Sequence, residues 1–181
     1  MRWKKTAKVL AIFSLIFSWL MASWPPVWWN PRFPPEIKEA RAAGPPVIEA
    51  TNTYQTNSTP TSHAVNLPAS IQAGDLLLVI FRAGSTATAS IPGDWSLLAS
   101  RSSNGVTYVW WKEASGSEGA TVTVTTSAIR AAAISYRISN WSGTPEIAFT
   151  GSNTNNPPSL SPSWGEAETL WIAGLTNRRS D

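Results

Sequence analysis

Few side chains in this sequence could do chemistry, and their types restrict what that chemistry would be. The chain of 181 residues has a single histidine, His63, and no cysteine. One imidazole cannot build a multi-histidine metal site, and without cysteine neither a thiolate site nor a disulfide framework can form. A Ser-His-Asp triad would have to use His63, and no nucleophile-elbow motif accompanies it. The plainer expectation is an exposed or capping histidine near a strand start. The acids Asp75, Asp94, Glu113, Glu118, Glu146, Glu166 and Glu168 could supply the carboxylate pair of a glycosidase. However, Asp75, Asp94 and Glu118 stand beside glycines, where acids serve turns through local hydrogen bonds. Glu166 and Glu168 have the spacing to share one face of a strand. A turn-and-surface role is expected for these carboxylates, with no catalytic residue, metal site or cofactor. No EF-hand or repeat pattern for calcium appears.

Aromatic residues offer another kind of chemistry. Six tryptophans follow residue 43: Trp95, Trp110, Trp111, Trp141, Trp164 and Trp171. Large indoles fill cores in domains without disulfides, and exposed ones stack on sugar rings or anchor protein partners. Adjacent Trp110 and Trp111 must face opposite sides of a strand, so one can enter the core while the other points outward unless something covers it. Trp110 with Tyr108, two residues apart on one face, is the candidate ligand-binding pair. Asn57-Ser58-Thr59 and Asn140-Trp141-Ser142 match the N-glycosylation acceptor pattern, a frequent chance match.

These side chains must be positioned by strands. Val47–Tyr54 is a first candidate, followed by a loop at Thr59-Pro60 and a short strand through Ala64, Val65 and Leu67 that Pro68 ends. Gln72–Asp75 predicts a turn into Leu76–Phe81, six consecutive apolar residues suited to a strand buried on both faces. Pro92-Gly93-Asp94 predicts another turn. Trp95–Ser102 and Val106–Ala114 flank Asn104-Gly105, the strongest short hairpin signal. Within that hairpin Val109 and Trp111 share one face, and Tyr108, Trp110 and Lys112 the other. Val122 and Val124 alternate with Thr121, Thr123 and Thr125, the pattern of a half-buried strand. Ala132–Ser139 continues the alternation, and Ile147–Thr150 and Thr169–Leu175 are further strand candidates. No amphipathic helix stands out after residue 43. Eight or so short strands with regular turns predict an all-β fold, an antiparallel β-sandwich or jelly roll. No unit recurs at a fixed period, which argues against a solenoid or propeller.

Residues 1–43 are different in kind. They carry seven basic and two acidic side chains, a net of +5, whereas residues 44–181 carry seven basic and nine acidic ones, a net of −2. The high pI thus belongs to the leader, and nucleic acid is not an expected partner of the domain. Arg2, Lys4, Lys5 and Lys8 precede an uncharged, mostly apolar run from Val9 to Ala22. That run suits a signal-peptide core and is short for a membrane span of about twenty residues. Trp24, Trp28, Trp29 and Phe33 then sit among prolines, a composition suited to a membrane surface. The expected division is a signal peptide or membrane anchor over 1–43 and a β-sandwich over 44–181. Membrane contact would run through residues 9–29, before or without cleavage after Ala42 or Ala43, or near Ala22.

The pattern Ser18-Trp19-Leu20, Trp24-Pro25-Pro26, Trp28 and Pro34 through Ala43 resembles leaders on exported surface proteins of uncultured, small-genome bacteria. The blocks Gly74–Leu78, Pro92–Trp95, Trp110–Lys112, Ser115–Gly119 and Ala132–Trp141 resemble β-sandwich domains of phage virion and secreted metagenomic proteins. The resemblance implies several further strands beyond Asp181, so the sandwich is expected to be C-terminally incomplete, with an unpaired edge. The functional expectation is an extracellular or cell-surface, non-enzymatic module for adhesion, assembly or ligand binding, with a surface glycan or protein as partner and oligomerisation open. A phage-type virion or tail structural module, and a carbohydrate-active enzyme using two carboxylates, are the alternatives.

Overall fold

The computed structural model describes residues 44–84, 87–102, 105–150 and 156–174. The leader, with its apolar run and cleavage sites, therefore lies outside the described residues, as does Asn104 of the hairpin turn.

Among the described residues seven strands form from the segments with alternating or continuous apolar character: β1 (Val47–Gln55), β2 (Ser62–Asn66), β3 (Leu76–Ala83), β4 (Ser96–Ser102), β5 (Val106–Glu113), β6 (Thr121–Thr125) and β7 (Ala131–Ser139). No helix occurs among the described residues. The strands make two antiparallel sheets, one of five in the order β1-β7-β3-β5-β4 and one of two, β2-β6. The described residues form an all-β sandwich.

The apolar run of β3 explains its central place. Leu77, Val79, Phe81 and Ala83 point into the space between the sheets, and the intervening Leu76 and Leu78 are also buried, on the opposite face. A strand covered on both sides reads as a continuous apolar run rather than an alternating one. By contrast, β6 alternates exposed Thr121, Thr123 and Thr125 with buried Val122 and Val124. It registers on β2 so that Val65 meets Val122 and His63 meets Val124. Their side chains close over Leu77, Val79, Phe81, Trp110 and Ala133 to make one cluster.

Backbone bonds lengthen the small sheet beyond its strands. The Leu67 N–H donates to Ala120 and the Thr126 N–H to Thr61, while Ser90 bridges Thr125 at the β6 edge. Side chains stitch β2 to the larger sheet. Asn52 donates to the Leu67 carbonyl at 3.0 Å, Asn66 to Thr53 at 2.8 Å, and the buried Ser135 hydroxyl to Asn66 at 2.7 Å. Each of these satisfies a carbonyl that would otherwise lack a ladder partner.

Turns follow their expected residues. Gln72–Asp75 closes with the Asp75 N–H on the Gln72 carbonyl, Gly74 having φ 87°. Pro92–Trp95 closes likewise. In the β4–β5 hairpin Ser102 pairs with Val106, and Gly105 has φ 125°. A Cβ at Gly105 would stand 2.6 Å from the Ala83 carbonyl oxygen, so glycine is required there for space as well as conformation.

Two strand expectations are corrected. Residues 147–150 and 169–174 lie in no strand. The chain around them carries Pro145, Pro157, Pro158 and Pro162, which cannot donate to a ladder. This C-terminal segment instead runs over the outer face of the five-stranded sheet. Gly174 approaches the Ile80 side chain, with an ideal Cβ 3.9 Å from Cδ1, and the Trp141 ring meets Trp111.

Candidate ligand-binding surface

The six tryptophans of the domain grade from core to solvent, and the sheet geometry decides which is which. Trp110 points inward from β5 and is only 3% exposed. It packs on Phe81 with centroids 6.1 Å apart and stacks on Tyr108 at 5.0 Å with the rings 2° from parallel. The Tyr108 hydroxyl donates to the Ala87 carbonyl and accepts from the Ala89 N–H, both at 3.3 Å. The pair singled out in the sequence thus shares a face, but that face lies under the covering segment 87–91 and the small sheet. A stacked, buried indole presents no ring face to a ligand. Trp95 is also core, with the Lys112 ammonium 5.9 Å from its ring centre.

Outward-facing Trp111 is half-buried because Trp141 lies edge-on against it, centroids 5.9 Å apart and planes at 73°. Trp141 is held there by its indole N–H, which donates to the Gly74 carbonyl at 2.7 Å. Trp164 and Trp171, on the C-terminal segment, are exposed by 44% and 58%. The Trp164 N–H donates to the Thr169 hydroxyl at 3.2 Å, and Thr169 in turn donates to Ala167, which fixes the local turn. The Ser163 N–H, next to Trp164, donates to the Glu146 carboxylate. Trp164 is therefore an exposed indole on an anchored loop. Glu166 and Glu168, whose spacing would let them share one face of a strand, lie exposed in this loop.

Glu113 ends β5 exposed, while Asp75, Asp94 and Glu118 have local work. Asp75 is buried, accepts from the Gln72 N–H at 2.8 Å and faces Arg137 at 3.3 Å. Asp94 and Glu118 share the Lys112 ammonium, at 2.6 and 3.1 Å. Burial would push the Glu118 carboxyl up, but the Ser115 N–H, its own N–H, Lys112 and the Ser115 hydroxyl outweigh it and bring it down to about 2. Lys112 is shifted up, chiefly by its hydrogen bond to Asp94, against the opposing effect of burial. A glycosidase proton donor needs the reverse shift, a carboxyl raised into the neutral range. Among the described residues, no three of His, Cys, Asp and Glu gather to hold a metal ion.

His63 corrects an expectation. It is neither exposed nor a cap: it is fully buried in β2. Its place follows from alternation, since His63, Val65 and Leu67 are the inward residues of this stretch. That period of two was present in the sequence and was the available signal. Compared with protein families, curated proteins and solved structures, the chain matches none.

Proposed function

We propose that the chain is an exported, cell-surface or secreted β-sandwich that acts as a non-enzymatic binding module, taking a glycan or protein partner on aromatic side chains of its C-terminal segment. The observation that carries this is the exposure of Trp164 and Trp171, at 44% and 58%, while Trp95 and Trp110 are packed into the core. An exposed indole on an anchored loop offers a flat apolar face, which suits stacking on a sugar ring or insertion in a partner's pocket. Export is argued from the leader's basic head and apolar run.

The test is binding of the full chain to glycan arrays and to cell surfaces, with Trp164→Ala and Trp171→Ala as variants. The expected result is saturable binding that weakens at least tenfold when either indole is removed, with the fold unchanged by circular dichroism. Absence of binding across both surfaces would sink the reading, as would binding indifferent to both substitutions.

A further inference from the structure

The chain's one histidine is enclosed at the junction of the two sheets. The Thr126 hydroxyl lies 2.7 Å from the Ser127 carbonyl and 2.8 Å from His63 Nε2. A carbonyl only accepts, so the single Thr126 proton goes to Ser127, and Thr126 accepts from an Nε2–H. That leaves Nδ1 unprotonated, to accept from the Tyr54 hydroxyl at 3.1 Å. The result is a directional chain: Tyr54 O–H to His63 Nδ1, His63 Nε2–H to Thr126, Thr126 O–H to Ser127. It ties β1 of the large sheet to both strands of the small one. Edge-on contacts close it in, Tyr54 at 5.8 Å and Phe81 of β3 at 5.3 Å between centroids.

We propose that this chain is an acid-sensitive latch: a proton delivered to Nδ1 of His63 in mildly acidic solution breaks it and loosens the two-stranded sheet from the five-stranded one. Protonated Nδ1 is a donor, so Tyr54 would have to reverse its hydroxyl, and a cation would sit in a fully buried site. The groups facing His63 offer no compensation. Tyr54 from β1, Phe81 from β3 and Thr126 from the end of β6 are neutral, and β7 presents Ala133 between Tyr54 and Phe81. The charged side chains of this inner face, Arg137 and Lys112, lie in the strand row of Leu77, four residues along β3 from Phe81, roughly 13 Å away, where they pair with Asp75 and with Asp94 and Glu118.

Burial holds the imidazole below its ordinary value of 6.5. A histidine depressed in the folded state stabilises fully above the unfolded value and progressively less as pH falls below it. One linked proton lowers the ratio of folded to unfolded molecules by up to tenfold per pH unit in that window. Glu118, held at about 2, gives up its contribution much lower, from 4.5 downward.

The experiment uses the untagged full chain, whose single histidine gives one imidazole NMR signal. Its titration midpoint in the folded protein is expected below 6.5, and the denaturant midpoint is expected to fall between pH 6.5 and about 5. Over the same range, amides of β2 and β6 should lose exchange protection relative to β3. His63→Gln should abolish the fall in stability between those pH values. A folded-state midpoint at or above 6.5 would overturn the latch even if the variant does not fold. Equal loss of protection in both sheets, or an unchanged pH dependence in a folded variant, would overturn it as well.

Discussion

Trp110 and Trp171 show how little a residue's type says about its role. Both are tryptophans flanked by apolar neighbours in sequence, yet one is 3% exposed and the other 58%. Trp110→Ala is expected to cost about 3–5 kcal/mol, because the vacated volume sits among Phe81, Tyr108 and the small sheet, which cannot collapse into it. Trp171→Ala should shift stability by no more than about 0.5 kcal/mol. Urea denaturation of the two variants checks this, and similar midpoints would show that the assignment of core and surface is mistaken. The Tyr108–Trp110 pairing was legible from spacing, and so was its shared face. What spacing could not say was which face of β5 the small sheet covers. The same gap hid His63, whose hydrophilic type suggested solvent while its parity with Val65 and Leu67 pointed inward.

At the scale of elements, β3, β6 and the hairpin were legible because each has a local cause. Six apolar residues, a Val/Thr alternation and an Asn-Gly step act within a few residues of the chain. The two strands that failed to form, at 147–150 and 169–174, have apolar residues but no partner edge. The available edges of the large sheet are β1 and β4, and both are irregular, with register shifts at Ile48/Ala50 and at Leu97/Ala99. Bulges and charges on edge strands discourage further pairing. Glu49 stands in the β1 bulge, exposed, with its carboxylate accepting from the Ser139 hydroxyl at 2.6 Å. The substitution Glu49→Val would extend the exposed apolar pair Val47 and Ile48 into an uninterrupted apolar edge. Sedimentation velocity should then show stronger concentration-dependent self-association than that of the parent chain, and an identical profile would show that the bulge alone guards the edge.

Across the whole molecule, the five-stranded sheet buries apolar side chains on both faces. Its inner face is covered by β2 and β6, and its outer face carries Leu76, Leu78, Val109 and Ile138, none more than 8% exposed. The C-terminal segment covers that outer face without strand pairing, with Gly174 against the Ile80 side chain. Ending the chain after Gly143 is therefore expected to uncover these side chains. The truncated chain should bind the dye ANS and denature at lower urea than the full chain, since burial of such side chains is worth about 1.5–3 kcal/mol each. Unchanged dye binding would mean that the segment is not their cover. The positions of the seven strands that formed, the turn sites and the alternation within each strand were already determined by the sequence, because alternation and turn chemistry are local. Tertiary structure alone decided the division into five and two strands, the covering of the outer face, the burial of His63 and the choice of Trp164 and Trp171 as the solvent-facing indoles. Those outcomes depend on which of two equally patterned faces meets another layer, and that is settled by contacts between residues far apart in the chain.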